Sequence, residues 1–98
     1  MYARVSTYEG SVEDYDRGID KVKSDLVPRV RSLPGSAGVL FMVDRSTGQS
    51  LSIALYDSQE ALDNTREQAE NVRSQAAEGI GSQVTRVVEY EVGIAEFS

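Results

Sequence analysis

Few side chains in this sequence combine the type and the spacing that chemistry requires. Glu89 and Glu91 lie two residues apart on a predicted strand, so both carboxylates point the same way, as a hard-cation site or an acid and base pair would need. No Asp, Asn or His stands near them in the sequence, and we therefore predict no metal site. Arg4 and Arg86 interrupt half-apolar strands and are candidate polar donors to an anionic ligand.

The residue types that are missing restrict the chemistry further. The 98 residues contain no histidine, no cysteine and no tryptophan. Most nucleophilic and metal chemistry, and most haem ligation, relies on histidine or cysteine. Phosphate-binding glycine loops open a helix, whereas Gly79 and Gly81 follow one. The sequence therefore predicts no cofactor.

Composition is typical of a soluble globular protein. Hydrophobic residues make up 40% and charged residues 27% of the sequence, and no apolar run is long enough to cross a bilayer. The net charge of -6 disfavours nucleic acid as a partner, because phosphate binding requires clustered Lys and Arg. No secretion signal is evident at the start. We expect a single domain over residues 1–98, located in the cytoplasm, with neither nucleic acid nor membrane as a partner.

The elements that must position these side chains follow from hydrophobic periodicity. Residues 2–8 alternate as a strand does, and we expect the odd-numbered ones to face the helices. A helix capped by Ser11 has apolar residues at steps of three and four. Pro28 lacks an amide proton and clashes with the preceding turn, which predicts a kink or break near Leu26.

The remaining strands and the second helix are indicated by other sequence signals. Residues 37–43 form a continuous apolar strand, and residues 44–48 form a hairpin loop that leads to an alternating strand over residues 49–56. Asp57 or Ser58 caps a second helix, which Gly79 and Gly81 terminate. A last strand begins at about Gln83.

The element order is strand, helix, strand, strand, helix, strand. This order predicts an α+β, ferredoxin-like βαββαβ fold, with a four-stranded antiparallel sheet and two helices on one face. Two helices cover only one face of such a sheet, and the second strand is apolar on both faces. We expect a second copy to cover the other face, so that a homodimer forms an α/β barrel; an exposed apolar patch on a monomer is the alternative.

Three segments carry a resemblance to a known family. They are Ser32-Leu33-Pro34-Gly35, Val43-Asp44-Arg45-Ser46-Thr47-Gly48 and Tyr56-Asp57-Ser58-Gln59-Glu60-Ala61-Leu62. These segments are turns and helix ends. With them, the chain resembles over its whole length the dimeric α/β-barrel proteins of the antibiotic biosynthesis monooxygenase superfamily. That superfamily includes cofactor-free oxygenases of aromatic polyketides and haem-degrading enzymes. The resemblance implies the fold and the dimer.

The functional residues of that family transfer poorly. Haem-degrading members use an Asn on the first strand and a Trp and a His on the second helix. The first strand of this chain has no Asn, and the two helix positions fall near Thr65 and Gln75. Haem degradation is therefore not expected. The polyketide oxygenases surround their substrate with Trp, Asn, Tyr and Arg, of which this chain offers only Tyr and Arg in suitable places.

Two functions remain as hypotheses. In the first, the chain is a dimeric module that binds an apolar or aromatic small molecule between helices and sheet. In the second, it is a cofactor-independent monooxygenase acting on an aromatic polyketide-like substrate, with desolvation and orientation supplied by the protein. A purely structural dimer without a cavity is a third possibility. The pocket is predicted to be lined by the following residues: Val5, Tyr15, Ile19, Phe41, Ile53 and Thr65.

Two of these candidates also have purely structural roles open to them. For Tyr15 the favoured role is that of a core residue with its hydroxyl at the rim. If the first and last strands are neighbours, Arg4 pairs with Glu89 or Glu91 on the same face instead of holding a ligand.

Overall fold

The computed structural model describes residues 1–10, 15–79 and 81–97, without the side chain of Tyr15. Along the chain the elements are β1 (Tyr2–Gly10), α1 (Tyr15–Lys21), a π-helical turn (Val22–Leu26), α2 (Val27–Arg31), β2 (Ser36–Val43), β3 (Gln49–Tyr56), α3 (Gln59–Asn64), α4 (Arg66–Gly79) and β4 (Ser82–Glu91). None of the helices in these ranges has the length and apolar content that crossing a bilayer requires.

The strands form one antiparallel sheet in the order β2-β3-β1-β4. With the helices this gives the ferredoxin-like α+β arrangement that the sequence predicts. The hairpin between β2 and β3 closes where Asp44 N–H donates to the carbonyl of Gln49 at 2.8 Å. Gly48 completes that turn with a positive φ of 84°. The pairing places β1 and β3 in the centre, so their side chains determine what lies beneath the helices.

The predicted break in the first helix is confirmed and takes the form of the π-helical turn. The amide of Val27 donates to the carbonyl of Val22, five residues back, instead of four. Pro28 follows directly and has no amide proton to donate. The wider turn absorbs this defect and keeps Val22 and Leu26 buried against the sheet.

The second helix begins as predicted and is divided at Thr65. Ser58 is its N-cap, because its hydroxyl accepts a hydrogen bond from Ala61 N–H at 3.1 Å. Thr65 leaves helical geometry with φ -101° and ψ 3°, and its hydroxyl donates to the carbonyl of Ala61 at 2.7 Å. A threonine hydroxyl that competes for a helix carbonyl favours such an interruption. The result is the short α3 followed by α4.

The facing of β1 differs from the prediction. Arg4, Ser6 and Tyr8 lie beneath the helices, and Tyr8 belongs to one buried cluster with Val22 of the π-helical turn. The odd-numbered residues, Val5 among them, point to the opposite face, so the expected facing was wrong. Alternation establishes two faces but not which one is covered. Here the helices supply the apolar contacts, and the polar groups beneath them bond to one another.

The opposite face, which we call the open face, carries apolar side chains on all four strands. One row of paired side chains crosses all four strands and consists of Leu40, Ile53, Val5 and Val88. No described helix covers this row. Leu40 on the edge strand β2 retains 49% of its accessible surface, which is large for a leucine. The open face is therefore an exposed apolar surface of the kind that marks an interaction site.

Gly35 in the turn before β2 is expected to tolerate no side chain. Its φ is +80°, and an added Cβ would overlap that of Ala61. We expect Gly35→Ala to lower the free energy of unfolding by about 2 to 3 kcal/mol, from backbone strain and overlap together. The matched control is Gly81→Ala, at φ +67° with open space around it, which should lose only about 1 kcal/mol. Urea denaturation of both variants measures the difference, and equal losses would contradict the role of the Ala61 contact.

Candidate functional site

A cavity of about 60 Å³ lies between the helices and the covered face of the sheet. One buried water needs roughly 15 Å³, so the space suits several waters or a small organic molecule. Alanines at three lining positions create the room. The lining is mainly apolar and comes from the π-helical turn, α2, β2, β3 and α4: Val22, Leu26, Val27, Val30, Val39, Phe41, Ala54, Ala69, Val72 and Ala76.

Two hydroxyl groups face each other at this cavity. The Tyr8 hydroxyl and the Ser52 hydroxyl are 3.0 Å apart, and either can donate. Burial raises the pKa of the Tyr8 phenol, while its hydrogen bond to Ser52 and the charge of Arg73 act in the opposite direction. The phenol therefore remains protonated near neutral pH and is able to donate a hydrogen bond. The Phe41 ring packs against it with ring centres 6.0 Å apart.

Arg4 also borders the cavity, but its side chain is already engaged. It is only 2% exposed, and its Nε donates to Oε2 of Glu89 at 3.1 Å. Its Nη2 donates to the carbonyl of Leu62 at 2.6 Å, and its Nη1 to the Tyr56 hydroxyl at 3.3 Å. The predicted ion pair with Glu89 is confirmed. Each guanidinium nitrogen has a partner, so Arg4 joins β1, β4 and α3.

Glu89 is held by two arginines instead of acting as a free carboxylate. Arg66 at the start of α4 donates to its Oε1 at 2.6 Å, in addition to the bond from Arg4. The hydrogen bond from Arg66 is the largest cause that lowers the pKa of Glu89; partial burial opposes it, and Arg4 adds to the lowering. Among the described residues, no three acidic side chains are grouped closely enough to hold a metal ion.

Arg73 of α4 is the second arginine at the cavity. Its side chain is half-buried, and its positive charge lowers the pKa of Tyr8. It makes no hydrogen bond or ion pair with any residue that the structure describes. An arginine in this position has donors to offer to a molecule in the cavity.

The structure brings only some of the predicted pocket residues to the cavity. Phe41 and Arg4 border it. Val5 and Ile53 do not, because they are paired on the open face, and their predicted place in the lining is corrected accordingly. Arg86 is exposed and shares the open face with its partner Thr7, which removes it as a donor to this cavity.

Three further candidates occupy other places. Ile19 is half-buried on α1 and is not among the residues that line the cavity. Thr65 is 1% exposed, and its hydroxyl is used within the helix, where it donates to Ala61. The side chain of Tyr15 lies outside the described residues.

Sequence reasoning missed Tyr8, Ser52 and Arg73. Tyr8 and Ser52 belong to the even-numbered faces of their strands, so the correct facing of β1 would have revealed them together. Arg73 has a signal of its own. It is four residues from the buried Ala69 and from the buried Ala77, a spacing that places it on their face of α4.

Several solved structures with the same fold are described as monooxygenases or oxygenases. The chain superimposes on a Deinococcus radiodurans protein described as a candidate antibiotic biosynthesis monooxygenase, with a TM-score of 0.67 and 17% identity over 100% of this chain and 98% of that one. The chain has the antibiotic biosynthesis monooxygenase fold. Two further solved structures have the same fold. The Streptomyces coelicolor monooxygenase from the gene ActVA-Orf6, solved with nanaomycin D, has a TM-score of 0.70 and 11% identity over 99% of this chain and 91% of that one. SnoaB, a cofactor-independent oxygenase from Streptomyces nogalater, has a TM-score of 0.67 and 10% identity over 96% and 94%.

Closer sequence relatives carry no assigned activity. The uncharacterised protein Rv2557 of Mycobacterium tuberculosis is 32% identical over 92 residues, which is 94% of this chain and 41% of that protein. The uncharacterised protein Rv2558 of the same organism is 30% identical over 77 residues, or 79% of this chain and 33% of that protein. The chain thus spans about two fifths of the length of the first of these relatives. No protein-family model matches the sequence.

Proposed function

We propose that this chain binds an apolar or aromatic small molecule in the cavity between the helices and the sheet. The observation that carries the proposal is the cavity itself, which has a mainly apolar lining beneath the helices. Binding there would remove apolar ligand surface from water without displacing a core side chain. The structure of ActVA-Orf6 with nanaomycin D supports the choice, because that protein of the same fold holds a small molecule.

Filling the cavity tests this proposal. We expect wild type to bind toluene and indole saturably in two-dimensional amide NMR, and Ala69→Leu on α4 to abolish this binding because it places a larger side chain in the space. Ala37→Leu is the matched control, since Ala37 is exposed on β2 and does not line the cavity. Wild-type spectra that do not respond to either probe, or an Ala69→Leu variant that binds as wild type does, would contradict cavity binding.

A cofactor-independent monooxygenase is the second candidate, favoured by the Tyr8 phenol at an apolar cavity and by the fold shared with SnoaB. The reaction in question is oxidation of an anthrone-type methylene by O₂. One oxygen atom becomes the new carbonyl, the other leaves as water with the two methylene hydrogens, and the substrate supplies the electrons. In such a reaction Tyr8 would donate a hydrogen bond to the oxygen that gains charge.

Oxygen consumption distinguishes the two candidates. For an enzyme we expect uptake with anthrone above the rate without protein, and a loss of about tenfold or more in Tyr8→Phe. Tyr90→Phe is the control, because that tyrosine is exposed on the open face. If anthrone binds without oxygen uptake, the monooxygenase activity is excluded and the small-molecule-binding function remains.

We also propose that the open face is covered by a second copy of this chain. A twofold axis that lies between two sheets would place two identical apolar faces against each other, with both rows of paired side chains removed from water. The tail beyond β4 supports this arrangement, since Ile94 and Phe97 are 85% and 76% exposed and extend past the sheet. The homodimer would be a barrel with one cavity in each subunit.

A further inference from the structure

The charge that lines the cavity is opposite in sign to that of the whole chain. The chain carries a net charge of -6, yet the cavity lining includes two arginines and no carboxylate. Arg4 is neutralised by Glu89, with 3.1 Å between nitrogen and oxygen. Arg73 is the lining cation for which the described residues supply no counter-charge. Within the described part of the chain, the cavity therefore presents one positive charge without a counter-charge to whatever enters it.

The polar groups that line the cavity with Arg73 include hydroxyls with a proton to donate but no anionic acceptor. The Tyr8 and Ser52 hydroxyls share one hydrogen bond between them, so the pair has one proton left for a further acceptor. The described lining offers no carboxylate to bind an ammonium group. A neutral ligand would leave the half-buried guanidinium of Arg73 without a counter-charge, which is unfavourable for a charge partly removed from water.

We propose that the ligand is an organic monocarboxylate with an apolar body, and this refinement rests on the binding function proposed above. Its carboxylate pairs with the guanidinium of Arg73, whose parallel N–H groups match two carboxylate oxygens. The hydroxyl pair of Tyr8 and Ser52 donates the additional hydrogen bond. The apolar body lies against Phe41 and the valines of the lining. A phosphate ester is disfavoured, because a single guanidinium and an apolar wall match neither its second charge nor its hydration.

A pair of ligands that differ only in charge tests the assignment. Benzoate and benzamide have nearly the same shape, and only benzoate is an anion at pH 7. We expect wild type to bind benzoate at least about tenfold more tightly than benzamide, the amount that one charge-assisted hydrogen bond provides. In Arg73→Gln this preference should vanish while the affinity for benzamide is unchanged, and Arg73→Lys should restore part of it. The matched control is Arg86→Gln, which removes the exposed arginine of the open face.

The outcomes separate this inference from the function on which it rests. Equal binding of the two probes by wild type, or a preference that persists in Arg73→Gln, overturns the carboxylate assignment and leaves cavity binding in place. Failure of both probes together with toluene and indole overturns both proposals. The thermal unfolding midpoint of Arg73→Gln should match that of wild type within a few degrees, because Arg73 has no partner among the described residues to lose. The same measurement shows that the variant is folded.

Discussion

Replacing Glu89 by leucine is expected to lower the free energy of unfolding by about 3 to 4 kcal/mol, because it leaves the Arg4 charge buried without a carboxylate. Arg4 is 2% exposed and cannot turn to solvent for compensation. Its remaining partners are the carbonyl of Leu62 and the hydroxyl of Tyr56, which are dipoles and not counter-charges. The aromatic face of Tyr56, 5.2 Å from the guanidinium carbon, offsets only part of the loss.

The complementary variants show whether the buried charge is the cause. Arg4→Met removes the charge together with its hydrogen bonds, and we expect a smaller loss of about 2 kcal/mol. Beyond the loss in Arg4→Met, the double variant should lose only the exposed bond between Glu89 and Arg66, since Glu89 has no buried partner once Arg4 is gone. Urea denaturation of the three variants measures this coupling. Additive losses would show that Arg4 and Glu89 act independently.

Acid should reproduce part of the effect in wild type. The pKa of Glu89 is lowered in the folded protein, chiefly by its bond to Arg66, so its contribution is fully present above the pKa of an unfolded glutamate. That contribution is lost as the pH falls through the lower folded-state pKa. Arg66→Gln should therefore have a weaker dependence of stability on pH in this acidic range than wild type. Identical profiles would contradict the contribution of this pair.

The fold was predictable because each element carries its own local signal. Pro28 located the irregular turn, Ser58 the helix start and Gly48 the hairpin, and none of these required knowledge of distant contacts. The division at Thr65 was not visible, since a single threonine is compatible with a continuous helix. The choice between helix and interruption depends on a side-chain hydrogen bond that only the folded geometry decides.

The cavity was less predictable, for a reason specific to β1 and β3. Period-two alternation separates Val5 and Ile53 from Tyr8 and Ser52 without stating which set the helices cover. The more apolar set was expected beneath the helices, as hydrophobic burial in a monomer would favour. The structure has the reverse, because Arg4 and Glu89 satisfy each other on the covered face. An open face that is the more apolar of the two is what the pairing proposed above would require.

Introducing charge on the open face is expected to abolish self-association. Leu40→Lys is the sharpest change, because this side chain is 49% exposed in the single chain and a lysine there leaves the fold intact. In a face-to-face dimer the ammonium groups of both copies would be buried among apolar side chains without partners. We expect the dimer dissociation constant to rise at least about 100-fold, corresponding to the removal of such a charge from water.

Sedimentation equilibrium of wild type and Leu40→Lys measures this effect, and Gln68→Lys provides the same added charge on the exposed surface of α4. Wild type and Gln68→Lys should sediment as dimers and Leu40→Lys as a monomer with an unchanged circular dichroism spectrum. Pairing through this face would be contradicted if Leu40→Lys were dimeric. It would also be contradicted if wild type were monomeric at a protein concentration 100 times the lowest that the assay detects. If the dimer is correct, loss of association should leave benzoate binding in place, because the described cavity lining comes entirely from one chain and lies on the other side of the sheet.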